Sequence, residues 1–175
     1  MKNFTHPLTA GLLSIVVMAF VCHAPLATAG TLESRLFSTD THHQYLGHIT
    51  FRDSADGLLV EPHLNHLSPG AHGLHIHEKP MCSNNGKAAG GHLDPYHTGK
   101  HLGPYGSGHL GDLPVLRVNQ RGSANQITIA PRLKTTDIIN HSVILHQGGD
   151  NYRDQPKPLG GGGARIGCGL IQPSR

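Results

Sequence analysis

The chain has no tryptophan, and aromatic residues fill only 5% of its 175 positions. With hydrophobic residues at 37%, there is little bulky apolar surface for a large core. A domain of this kind needs a covalent staple or a metal to help hold it. Charge is scarce too: Asp, Glu, Lys and Arg make up 14%, with a net charge of +3. No basic block appears, so the electrostatic footprint of a nucleic-acid binder is missing. Long helices are disfavoured by an excess of breakers, 23 Gly and 12 Pro. Cysteine is sparse, with three in all. Histidine runs against this scarcity at 16 residues, and imidazole is the commonest protein metal ligand.

Residues 1–29 read as a secretory signal peptide. Lys2 precedes an apolar run from Leu8 to Val21, and Ala27-Thr28-Ala29 supplies a cleavage site. The run is short of the roughly 20 residues a membrane span needs, so no membrane segment is expected after processing. Residues 30–175 read as a single domain that keeps 14 His and two Cys. Two cysteines in an exported protein, Cys82 and Cys168, suggest one disulfide, with two free thiols as the alternative.

Short strand-like patterns follow one another. Tyr45–Phe51 alternates, Asp53–Gly57 reads as a hairpin turn, and Leu58–Val60 returns. Further strands are expected at Gly73–His77, Val115–Val118, Gln126–Ile129, Ser142–Leu145 and Gly169–Ile171. This predicts an all-β antiparallel sandwich or barrel. Two stretches refuse the pattern, Cys82–Asp112 and Gly148–Gly163. Long loops without periodicity inside a compact domain usually carry function, and a metal can order such a loop in place of a core.

The first loop holds the densest histidine cluster. His75-Ile76-His77 places two imidazoles on one face of a strand. His92, His101 and His109 are each framed by Gly with Leu, and Asp112 follows. Three imidazoles and one carboxylate fill a closed tetrahedral zinc site. His146 ends the apolar run Val143–Leu145, just before Gln147-Gly148-Gly149-Asp150, where a strand end can aim a ring into a site.

Together these pieces resemble the bacterial, periplasmic-type copper–zinc superoxide dismutases. The resemblance rests on Gly73-Leu74-His75-Ile76-His77, Gly90-Gly91-His92-Leu93-Asp94-Pro95, His109-Leu110-Gly111-Asp112, His146 with Gly148-Gly149-Asp150-Asn151, and Gly160–Cys168 with Arg165. It implies a Greek-key β-barrel of about eight strands with two long functional loops. It also implies one copper and one zinc per subunit. His75, His77, His92 and His146 would hold copper; His92, His101, His109 and Asp112 would hold zinc. His92 would bridge the two ions and donate a proton in the reaction. Asp150 would join His75 to His101 from behind, Cys82 and Cys168 would form the disulfide, and Arg165 would attract and orient the superoxide anion. Catalytic roles therefore fall to Arg165 and His92, the substrate is superoxide, and the compartment is the periplasm. Lys87 and Lys100 are candidate steering charges. Leu74 departs from the Phe common in the family, and Tyr152–Gly163 replaces the charged loop of eukaryotic relatives.

Other readings of the same residues are a non-enzymatic copper-binding or copper-delivery domain of the same fold, and a zinc hydrolase with Glu78 as its base. His42-His43 could collect copper, although solvated polar residues are the simpler account. An exposed apolar strand face would allow a homodimer, as in some members of the family, while others are monomers.

Overall fold

The structure is a computed structural model that describes Met1 and residues 30–174. The expected signal peptide, residues 1–29, lies outside the described residues apart from Met1. Nine strands are found among them: β1 (Leu32–Ser38), β2 (Tyr45–Ser54), β3 (Gly57–Leu64), β4 (Gly70–His72), β5 (Leu74–His77), β6 (Leu116–Val118), β7 (Thr128–Ala130), β8 (Ser142–His146) and β9 (Arg165–Pro173). One helical turn, α1 (Thr135–Ile138), and two short 3-10 turns complete the elements. Among the described residues no helix is long and apolar enough to cross a membrane.

Seven strands form one antiparallel sheet in the order β5-β8-β9-β1-β2-β3-β7, and β4 pairs with β6. The neighbours β5–β8 and β3–β7 are far apart in sequence, as Greek-key crossovers require. The sheet curls because the inner faces of its two ends share one core. Leu36, Ile49, Phe51, Leu58 and Leu64 from β1–β3 pack with Leu74, Ile76, Val143, Leu145 and Ile171 from β5, β8 and β9. This is the expected all-β barrel, and its core is almost wholly aliphatic, as the missing aromatics dictate.

Two strands escape the sequence reading. In β1, Leu32, Ser34 and Leu36 face inward while Glu33 and Arg35 face out; the alternation exists, but with only two aliphatic residues on its inner face it reads as a solvated segment. β4 has three residues and is fixed by its partner β6. The β7 strand starts two residues later than the expected Gln126. It pairs with Leu58–Val60, and Pro62, lacking an N–H, cannot extend that ladder. The last strand begins at Arg165, not Gly169, because β8 and β1 both pair with its earlier half.

Candidate metal centre

Strand β5 organises the site. Its four residues are all buried, and His75 and His77 lie on one side with ring centroids 6.5 Å apart, as period-two geometry predicts. One side of β5 pairs with β8. The other receives the two ends of the long histidine loop: Ile76 donates to the Gly111 carbonyl at 2.8 Å, and Leu93 donates to the Ile76 carbonyl at 2.9 Å. His75 thereby faces Asp112, and His77 faces His92. The approach needs glycine at 111, where a Cβ would lie 2.3 Å from the Ile76 carbonyl oxygen. Backbone pairing thus delivers His92 and Asp112 to the same spot as the β5 histidines, and β8 adds His146.

Two groups of donor atoms result. His75, His77, His92 and His146 are buried, with ligand atoms within 4.8 Å of one another. His75, His92, His101 and Asp112 form a second such group. His75 and His92 belong to both groups. His92 Nδ1 lies 2.9 Å from Asp112 Oδ1, while His92 Nε2 is buried with no hydrogen-bond partner. His101 Nδ1 is 2.9 Å from Asp112 Oδ2, and His109 Nδ1 is 3.6 Å from Asp112 Oδ1. Sequence reasoning put His109, not His75, in the second group. The structure places His109 Nδ1, buried and without a hydrogen-bond partner, beside that group at 3.6 Å from Asp112.

The donor chemistry fits metal ions. His75 Nδ1, His77 Nε2, His92 Nε2, His101 Nδ1, His109 Nδ1 and His146 Nε2 are all buried without a hydrogen bond, and buried polar atoms are ordinarily satisfied. The opposite nitrogens are held. His77 Nδ1 donates to the Gly90 carbonyl at 3.0 Å, and His146 Nδ1 to that of Gly163 at 3.3 Å. Asp150 takes His75 Nε2 at 2.8 Å on one oxygen and His101 Nε2 at 2.7 Å on the other. Anchoring of the far ring nitrogen is what fixes tautomer and orientation in metal-ligating histidines. The Asp150 bridge passes so close to Gly160 that a Cβ there would fall 2.0 Å from Oδ1, at a φ of +70°.

Electrostatics agree. Burial, with the neighbouring imidazole of His92, pushes His75 down to about 3 and His77 to about 2. Burial also lowers His92, and takes His146 to about 4. These rings are neutral at pH 7, the state that binds a metal. Around His101 burial is outweighed by the adjacent carboxylates of Asp112 and Asp150, which raise it to about 9. Both carboxylates resist the effect of burial and are held well below their usual range, Asp112 by His101, His109 and His92, and Asp150 by His101 and His75.

Arg165 stands opposite His146 across the β8–β9 ladder, at its register shift. The half-buried guanidinium donates to the carbonyls of Gly86 and Gly90, each at 2.7 Å. Cys82 and Cys168 are bonded, with Cα atoms 5.7 Å apart, and tie the loop carrying those carbonyls to β9. Lys87 and Lys100 are exposed, as are His42 and His43 in the β1–β2 turn. Glu78 accepts from the Gly91 N–H at 3.2 Å and lies outside both donor groups.

Three supports went unread in the sequence. His72 Nδ1 approaches the His146 carbonyl and its Nε2 the Ser68 carbonyl, each at 2.8 Å. Asp154 accepts from the His101 backbone N–H at 3.0 Å. Arg132 donates to the carbonyls of Gly108 and His109. Only the Gly-Ala-His72-Gly context next to the HxH pair gave any local signal.

An antiparallel barrel with two adjacent, buried, imidazole-rich donor sets that share residues defines a binuclear metalloprotein. Residues 45–171 match the family described as copper/zinc superoxide dismutase. The chain is 47% identical over 169 residues to the "Superoxide dismutase [Cu-Zn]" of Escherichia coli (strain K12), covering 91% of this chain and 98% of that protein. It is 44% identical over 158 residues to the protein of the same name from Legionella pneumophila, covering 90% and 97%. Among solved structures it resembles "Cu/Zn superoxide dismutase from Brucella abortus" at a TM-score of 0.77 and 39% identity, covering 81% of this chain and 99% of that one. The chain belongs to the copper/zinc superoxide dismutase family.

Proposed function

We propose that this protein converts two superoxide anions and two protons into O2 and H2O2 in the bacterial periplasm. The observation that carries the reading is His92, a single buried ring whose two nitrogens face two different donor sets. In this reading His75, His77, His92 and His146 hold one copper; His92, His101, His109 and Asp112 hold one zinc. Copper supplies a one-electron couple that zinc lacks, and zinc supplies fixed positive charge.

The chain's own groups do the rest. Arg165 presents an always-charged planar donor beside His77 and His146, suited to drawing in a small anion and aligning it. Its two carbonyl contacts hold the fork still, so little order is lost on binding. His92 Nε2 takes up a proton in one half of the cycle and returns it to the reduced product in the other; Nδ1 stays with the Asp112 side. Asp150 keeps His75 and His101 in register during this exchange. Removal of superoxide by copper-loaded protein, and none by protein carrying zinc alone, is the expected result. A copper-loaded form without activity would favour the delivery-domain reading.

A further inference from the structure

One pair of histidines outside the buried centre is placed for chemistry. His48 on β2 and His63 on β3 are direct cross-strand partners. Their neighbours Ile49 and Leu64 are buried in the core, so alternation sends both rings to the outer face of the sheet. The rings stack with centroids 4.9 Å apart and 29° between their planes. Directly opposed residues bring their Cβ atoms within about 5.5 Å, a spacing that two imidazoles can span to a single ion.

Nearby charged groups are engaged elsewhere. Arg35, the partner of His48 on β1, places its guanidinium over the Tyr45 ring at 5.1 Å. Glu61, next to His63 on the same face, pairs with Arg52.

We propose that His48 and His63 form an exposed, exchangeable site for a divalent late transition metal, Cu²⁺ ahead of Zn²⁺. Imidazole suits both ions, and the general order of affinities favours copper. A rigid sheet holds the two ligands together, so the second nitrogen binds at high effective concentration. Water completes the coordination, since His63 is exposed. The site shares no residue with the buried donor sets and does not depend on their assignment.

The test is a Cu²⁺ titration of protein whose buried sites are already filled, followed by electron paramagnetic resonance and equilibrium dialysis. One additional Cu²⁺ per chain with two nitrogen ligands is expected. His48→Ala and His63→Ala should each weaken it on the order of 100-fold, with buried metal content unchanged. A double His42→Ala/His43→Ala variant should retain it. The proposal is overturned if no additional ion binds, or if the ion binds equally well to both single variants.

Discussion

His77 and Arg165 converge on one acceptor. The Gly90 carbonyl lies 3.0 Å from His77 Nδ1 and 2.7 Å from Arg165 Nη2. A proposed metal ligand and the proposed anion-binding cation are therefore located by the same backbone atom, in the loop that the disulfide pins to β9.

This arrangement predicts how Arg165 variants behave. Arg165→Ala should lower kcat/KM by about one to two orders of magnitude while copper stays bound, because electrostatic capture is lost. Arg165→Lys should recover part of it, since Lys keeps the charge without the two-pronged geometry. The loss should shrink as ionic strength rises. Steady-state superoxide assays across a salt series, with metal content measured alongside, check this; unchanged activity in Arg165→Ala removes the role.

Asp150 holds rings from both donor sets. Asn at this position can accept from one ring but presents a donor to the other. We expect Asp150→Asn to weaken retention of both metals by about 10- to 100-fold, measured by metal content after dialysis against a chelator. Full retention of both ions would show that loop packing alone orients His75 and His101.

The Cys82–Cys168 bond spans a sequence separation of 86. Chain-entropy arguments give about 4–5 kcal/mol for a loop of that size, as an upper expectation. A Cys82→Ser/Cys168→Ser variant should unfold at lower denaturant concentration and lose activity faster than structure, because the Gly86 and Gly90 carbonyls that fix Arg165 are no longer tied to β9. Urea unfolding with parallel activity assays tests this; equal midpoints would contradict it.

The metal-free protein should lose stability on both sides of neutrality. His75, His77 and His146 are depressed from 6.5 to about 3, 2 and 4. The unfolded chain takes up their protons first, so stability falls as pH drops from about 6.5 towards about 4. His101 is raised to about 9; its contribution is complete below about 6.5 and disappears as pH rises through about 9. Urea midpoints of chelator-treated protein from pH 4 to 10 should trace a dome, and a midpoint that rises into acid would refute the assignment.

The histidines that the structure clusters were legible because their signals are local. HxH spacing places two rings on one strand face, and Gly-His-Leu framing marks a loop built around its histidines. The supports were not, because their partners are distant: His72 meets His146 across 74 residues, and Asp154 meets His101 across 53. The strands divide the same way. β3 and β8 show dense apolar runs and β2 alternates over Tyr45–Phe51, whereas β1 has charges at alternate positions and owes its place to the pairing of β2 and β9 on either side.

The central claim is that His92 lies between copper and zinc. Anomalous diffraction at the copper and zinc edges from crystals of the fully loaded protein tests it most directly. The account predicts a copper peak against Nε2 among His75, His77 and His146, and a zinc peak against Nδ1 among His101, His109 and Asp112. A single peak, or two peaks of which one makes no contact with His92, would contradict it.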